Sequence, residues 1–229
     1  MSCATTKQER KNIIEKHIKN GVIFIDSENT YVDSEVTIGK NSVIYPYTFL
    51  KGSTKISENC VVGPFTTIEN TEIGEGTEVI NSVVKDSKIA KNTSVGPYAY
   101  IRPGTIVGSD VKIGDFVEVK NSVIADGTKV SHLTYVGDSD VGYGVNFGCG
   151  TVTVNYDGQK KHRTVIGDRA FIGCNTNLIA PVKVENNAYI AAGSTITDDV
   201  EAYSLAIARS RQTIKKDWAR TAGWNTKEK

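Results

Sequence analysis

A beat of six residues constrains this chain more than any other feature. Stepping by six from Ile38 lands on Ile44, Leu50, Ile56, Val62 and Ile68, all branched aliphatics. A one-residue slip leads to Ile73 and Val79, and the beat resumes at Ile89 with Val95, Ile101, Val107, Ile113 and Val119. Further slips lead to Ile124, Val130, Val136, Val141 and Phe147. After a polar interruption a second unbroken run follows: Ile166, Ile172, Leu178, Val184, Ile190 and Ile196. A period of six matches neither an amphipathic helix nor an open alternating sheet. It predicts short strands joined by tight turns, each placing one aliphatic side chain inside a triangular coil. Three hexads make a coil, so residues 36–200 are expected to stack about nine coils into an all-β parallel helix. Gly commonly follows the inward residue, as in Ile38-Gly39, Val62-Gly63, Ile113-Gly114 and Ile172-Gly173, where a corner needs a small or positive-φ residue. The beat itself does not set the hand of the coil, although parallel crossovers generally favour right-handed turns.

The flanks read differently. Residues 7–20 predict a short polar helix with Ile13, Ile14 and Ile18 on one side and Asn20-Gly21 as its stop. This divides the chain into a linker helix over 1–21, the β-helix over 22–200 and a tail over 201–229. The tail leaves the hexad pattern and carries Arg209, Arg211, Lys215, Lys216, Arg220, Lys227 and Lys229 against Asp217 and Glu228. An irregular basic tail is expected there, solvated or placed to meet a phosphorylated ligand.

Composition removes several classes of function. Lys and Arg total 27 against 26 Asp and Glu, so no global field favours nucleic acid or a membrane surface. No apolar run approaches the ~18 residues of a membrane span, and the polar N-terminus does not read as a signal peptide. Cys3, Cys60, Cys149 and Cys174 show neither a CxxC pair nor metal-ligand spacing, so they are expected as free thiols of a soluble cytoplasmic protein.

In a scaffold this repetitive, residues that spoil the pattern ask for a reason. Arg102-Pro103-Gly104 follows the inward Ile101, and Glu118 and Lys120 flank the inward Val119. His132 stands among hexad residues in Ser131-His132-Leu133-Thr134-Tyr135-Val136. Asn146-Phe147-Gly148-Cys149-Gly150 is glycine-rich, and Asn155 to Arg163 is a polar, basic excursion. Each has a structural reading when taken singly: Lys120 as solvated surface, His132 as a structural histidine, the excursion as a loop. Together they fall within about sixty residues of a stacked fold, only a few coils apart.

These segments also carry a family resemblance. Gly96-Pro97-Tyr98-Ala99-Tyr100-Ile101-Arg102-Pro103-Gly104, Val117-Glu118-Val119-Lys120-Asn121-Ser122 and His132-Leu133-Thr134-Tyr135-Val136-Gly137-Asp138 resemble the C-terminal domain of the bacterial N-acetylglucosamine-1-phosphate uridyltransferase/glucosamine-1-phosphate acetyltransferases. So do Asn155-Tyr156-Asp157-Gly158, Thr164-Val165-Ile166-Gly167-Asp168, Ala191-Ala192-Gly193-Ser194 and Ala206-Ile207-Ala208-Arg209. The resemblance implies a left-handed parallel β-helix of hexapeptide repeats, assembled as a homotrimer with sites between chains. It implies acetyl transfer from acetyl-CoA to the amino group of glucosamine 1-phosphate, a step toward UDP-N-acetylglucosamine and cell-wall synthesis, with no metal required.

The resemblance also assigns roles. His132 falls at the general base, and histidine is the common side chain poised near neutral pH for such work. Arg102 and Lys120 match sugar-phosphate ligands, suited to a dianion; Tyr135, Asn146 and Lys161 match groups that fix the amino sugar. Asn155, Tyr156, Ala192 and Arg209 match acetyl-CoA contacts. Cys149 is expected to act through its backbone N–H as an oxyanion donor. Cys149 and Cys174 depart from the alanine and serine usual in the family, and Cys174 is a poorer hydrogen-bond former than a hydroxyl. Glu118 is expected near the His132 imidazole as its orienting group, and Arg209 of one chain is expected to serve the His132 of another. The glycine-rich nucleotide loop and acidic metal ligands of the family's uridyltransferase domain do not occur here, so uridylyl transfer is not expected.

Other readings remain open at this stage. A metal-dependent carbonic anhydrase on such a scaffold needs three converging histidines, and the chain has only His17, His132 and His162. A non-catalytic assembly solenoid, or an acetyltransferase with a different sugar acceptor, would use the same repeats.

Overall fold

The computed structural model describes residues 6–224. Its strands are two to four residues long, and every third one joins the same sheet, giving three parallel sheets of 11, 10 and 9 strands. The three sheets are the faces of a triangular solenoid. Every hexad aliphatic named above is buried, and most expose 0–4% of their surface. Side chains stack in register, so the first sheet holds one inward column from Ile44 through Val62, Val79, Val95, Ile113, Val130, Phe147, Ile172 and Ile190 to Ala206. Each coil covers the apolar interior of the next, which is why no single repeat is stable alone.

Among the glycines after inward residues, Gly63 takes a positive φ of 96°, whereas Gly39 and Gly114 are needed for close approach. A Cβ on Gly39 would lie 2.5 Å from the Glu58 amide nitrogen, and one on Gly114 would fall 2.0 Å from the Ser131 carbonyl oxygen. The left-handed residues of that corner come two positions later, at Asn41, Asn59, Asn92 and Asp110, types that tolerate this region. Buried hydroxyls close the corners. Thr93 Oγ1 donates to the Gly108 carbonyl at 2.8 Å and accepts from the Val111 amide at 3.2 Å.

The stack is longer than the hexad reading gives. Ile23–Phe24 and Tyr31–Val32 pair with Val43–Ile44 and Phe49–Leu50 as a further coil at the start. The loop between them breaks the six-residue spacing, and Ile23 and Ile25 are exposed, so the beat is silent there. At the other end Leu205–Ala206 pairs with Tyr189–Ile190, beyond residue 200. The remaining tail is exposed and has one short helix, Trp218–Thr221; Lys227, Glu228 and Lys229, like Cys3, lie outside the described residues.

The N-terminal helix runs Lys7–Lys19 behind a capping box of Thr6 and Glu9. Its buried side is Ile14 and His17, one turn apart, while Ile18 is exposed. The imidazole of His17 thus takes the place assigned to Ile18, and burial followed by the neighbouring Lys16 charge pushes its pKa down. Among the described residues no helix is long and apolar enough to cross a membrane.

Candidate active site

Two groups of predicted residues occupy adjacent faces of the same coils. The first lines the corner between the first and second sheets. Lys112–Asp115 pairs with Lys129–His132, and the register sets Asp115 directly against His132. The imidazole Nδ1 lies 2.6 Å from Asp115 Oδ1. An ionised carboxylate only accepts, so Nδ1 carries the hydrogen and Nε2 keeps its lone pair for a substrate. The same hydrogen bond holds the Asp115 carboxyl below the usual carboxylate range. Glu118 does not take this role. It stacks on Tyr135 in the second sheet and binds the Arg102 guanidinium at 2.7 Å.

Below His132 the corner continues rung by rung. Gly148 and Gly150 donate to the carbonyls of Ile172 and Leu133, whereas the Cys149 N–H between them finds no partner among the described residues. Cys174 sits one coil further on, since the Asn175 amide donates to the Cys149 carbonyl at 2.8 Å. Ala192 follows on the next rung, with the Gly193 amide bonded to the Cys174 carbonyl at 2.7 Å. The tail keeps to the stack as far as Ala208, whose amide donates to Ser194 Oγ and whose carbonyl accepts from Thr195. Arg209 then lies over Gly193, where a Cβ would meet its Cδ at 3.6 Å. His132, Cys149, Cys174, Ala192 and Arg209 of one chain therefore form a continuous column. At about 4.8 Å per rung its four steps span roughly 19 Å.

The second group faces outward from the second sheet. Lys120 meets Asp138 at 3.2 Å, with 17% and 6% of their side-chain surfaces exposed. Asp138 also accepts from Asn121 at 2.6 Å and from Asn155 Nδ2. Burial works to raise the Asp138 pKa, but the bonds from Asn121, Lys120 and Asn155 outweigh it and the net shift is downward. Asn155 Nδ2 also lies 3.3 Å from the Tyr135 hydroxyl. That ring lies close over Gly137, where a Cβ would fall 2.3 Å from the phenol oxygen.

Lys161 arrives on the excursion, which folds back on itself. Tyr156 and Lys161 form an antiparallel bridge, and Asp157 accepts from the Gln159 and Lys160 amides at 2.8 Å. His162 closes the loop against Asp157 at 2.7 Å. Lys161 comes close to Lys120, and the pair favours a single ammonium: paired with Lys161 and held by Asp138, Lys120 keeps its proton more firmly, while the Lys161 pKa is pushed down. Arg102, Lys120 and Lys161 thus concentrate positive charge beside Tyr135 and Asn155. Tyr156 is exposed at the loop's edge.

One predicted residue stands apart. Asn146 faces outward from the first sheet, between Lys129 and Phe171, so the corner separates it from the lysines. Sequence reasoning missed Asp115 and Asp138, the carboxylates that hold the imidazole and the lysine. The histidines do not converge: His17 lies under the N-terminal helix, while His132 and His162 each bind their own aspartate. Among the described residues no three His, Cys, Asp or Glu side chains gather as a metal site.

Comparison with known proteins gives the following similarities. Residues 86–121 and 163–198 match the bacterial transferase hexapeptide (six repeats) family. The bifunctional protein GlmU of Acetivibrio thermocellus is 59% identical over 220 residues, 96% of this chain and 48% of that protein. That of Clostridium kluyveri is 57% identical over 93% of this chain and 47% of that protein. The chain spans about half the length of the curated relatives it matches. The crystal structure of PerB from Caulobacter crescentus in complex with CoA and GDP-perosamine aligns with 54% of this chain and 68% of that one. Its sequence identity is 17% and its TM-score 0.46.

Proposed function

We propose that this chain, a homologue of the bifunctional protein GlmU along 96% of its own length, transfers acetyl from acetyl-CoA to the amino group of glucosamine 1-phosphate. The observation that carries this reading is the oriented His132–Asp115 pair at the head of a corner column that ends at Arg209, beside a face rich in fixed cations. The amino group attacks the thioester carbonyl while His132 Nε2 takes its proton and Asp115 steadies the resulting imidazolium; the C–S bond then breaks and the CoA thiolate leaves, taking that proton back from the imidazolium. The Cys149 N–H, unpartnered among the described residues, lies one rung below the imidazole and suits the developing oxyanion. The pantetheine arm runs down the corner past Cys174 and Ala192, and Arg209 meets a phosphate at its far end. Arg102, Lys120 and Lys161 receive the sugar phosphate, and Tyr135 and Asn155 border it.

The same reading includes a homotrimer. Tyr47, Phe65, Tyr98, Phe116 and Leu133 are exposed along the corner above His132, interrupted by Asn81 between Phe65 and Tyr98, a largely apolar ridge of the kind that copies cover in association. Asn146 reaches a sugar on the lysine face only from a neighbouring copy, so the site is shared through that residue. Arg209, by contrast, serves its own chain's column. Release of CoA thiol with acetyl-CoA and a panel of amino-sugar phosphates tests the proposal. Turnover with glucosamine 1-phosphate is expected; turnover only with another acceptor would reassign the substrate, and none with any would favour a non-catalytic solenoid.

A further inference from the structure

Cys149 and Cys174 occupy equivalent positions on consecutive coils. The register that pairs Phe147 with Ile172 runs on into the turn, because Gly148 N–H donates to Ile172 at 2.7 Å and Asn175 N–H donates to Cys149 at 2.8 Å. The two backbones therefore keep the spacing of neighbouring strands, about 4.8 Å, inside the roughly 4.4–6.8 Å between Cα atoms that a disulfide requires. Both side chains leave the corner on the same side. Gly148 and Gly150 flank Cys149, and Gly173 precedes Cys174; a Cβ on Gly148 would come 2.4 Å from the Cys174 nitrogen, so the two turns are in direct contact. Neither sulfur has a hydrogen-bond partner among the described residues. Cys174 is exposed and Cys149 half-buried, within reach of a small oxidant. Cys60 differs: it is fully buried, and its Sγ donates to the Gly74 carbonyl at 3.2 Å.

We propose that Cys149 and Cys174 are a site of reversible oxidation, closed by hydrogen peroxide into an intrachain disulfide that obstructs the corner groove. The Sγ–Sγ bond forms as both S–H bonds break; peroxide takes up the two electrons and, with the two thiol protons, leaves as two molecules of water. Closing the bond sets an Sγ–Sγ bridge across two adjacent rungs immediately below His132, in the path proposed for the thioester. The loss of catalysis rests on the acetyl-CoA path proposed above, whereas formation of the bond does not.

The test treats the reduced full chain with graded hydrogen peroxide, with and without acetyl-CoA, and reads intact mass, cross-linked peptides and thiol release. The expected product is two hydrogens lighter, joins residues 149 and 174 within one chain, and loses activity on the order of 10²-fold, the effect of a misplaced reacting group. Dithiothreitol should restore it, and acetyl-CoA bound beforehand should slow its formation. Cys149→Ala and Cys174→Ser, each compared with its own reduced state, should lose both the cross-link and the fast peroxide response. A bond between chains, a bond to Cys3 or Cys60 instead, over-oxidation without a cross-link, or a cross-linked enzyme of full activity would each overturn the proposal. A reduced enzyme inactive on glucosamine 1-phosphate would instead overturn the functional reading. The mass result would then stand, with calorimetric binding of acetyl-CoA to the reduced and oxidised forms as its second readout.

Discussion

On the third sheet Lys55 and Lys88 flank Glu72 at 3.8 and 3.4 Å, with more than half of each side chain exposed. On the second sheet Lys120 meets Asp138 at 3.2 Å, and only 17% and 6% of those side chains remain exposed. Both are lysine–carboxylate contacts across neighbouring rungs, although Glu72 is paired in register with both lysines and Asp138 stands at a left-handed position just after Gly137, the register partner of Lys120. The surroundings differ. Glu72 faces solvent and two exposed ammonium groups, whereas Asp138 also holds Asn121 and Asn155, and Asn155 begins the departure from the coil over residues 155–163. An exposed pair gains little over water, while a desolvated and multiply bonded one is fixed in place. A uniform solenoid thus becomes chemically specific where the chain leaves the beat and covers a rung.

The comparison is broken most directly at the head of the corner. His132→Ala should lower kcat by roughly 10²–10⁴, the usual worth of a general base. Its side chain is 56% exposed, so melting temperature and assembly should hardly change. Steady-state kinetics beside a thermal melt decides this, and near-normal turnover would return His132 to the scaffold.

On the covered rung, Lys120→Ala should raise KM for the sugar phosphate about ten- to hundredfold, from a lost charge-assisted contact of about 1.5–3 kcal/mol. KM for acetyl-CoA should stay put. Asp138→Ala should cost about 1–3 kcal/mol in denaturant unfolding, because it leaves buried donors on Lys120 and Asn155 unpaired. Equal effects of Lys120→Ala on both substrates would make Lys120 a shaper of the coil instead of a phosphate ligand.

Lys161 sharpens the contrast through pH. Because Lys120 pushes its pKa down, Lys161 loses its charge at a lower pH than an ordinary lysine. Affinity for a phosphate dianion should therefore fall as pH rises on the alkaline side, with kcat less affected. Lys161→Arg stays charged throughout and should flatten that rise in KM. A flat wild-type profile would place Lys161 away from the phosphate.

Most of the fold was legible because each hexad puts one apolar side chain, nearly always a branched aliphatic, into the interior at a fixed step. The first coil was not, since its strands are joined by the Asp26–Thr30 loop, where Asp26 accepts from Glu28 and Asn29 and no hexad is kept. Arg102 and Lys120 were legible as charges beside the beat residues Ile101 and Val119, and Tyr135 through the family resemblance. Their partners were harder to read, because contact in a solenoid runs across rungs and not along the chain. Glu118 was expected beside His132 by counting hexads along the strand path. The residue one rung away is Asp115, as the register states, and the same step places Glu118 on Tyr135. Subtracting from His132 one coil's three hexads, less the one-residue slip between Val119 and Ile124, would have found it. The closure of the excursion, which brings Lys161 to Lys120, depends on Asp157 and has no periodic signal.

The smallest effect is expected on the exposed ladder, and it bounds the whole comparison. Glu72→Ala removes the carboxylate shared by Lys55 and Lys88. Those lysines stand two rungs apart, about 9.6 Å along the stack, close to the screening length of about 8 Å at physiological ionic strength. Their residual repulsion is therefore damped, and neither ammonium is left without water. The variant should unfold within about 0.5 kcal/mol of the parent, with a somewhat larger difference at low salt and none in kcat or KM. Paired denaturant titrations at low and physiological salt measure this. A loss matching that of Asp138→Ala would mean that the exposed ladder holds the coils as firmly as the covered rung, and burial would no longer explain why only one of the two became a site.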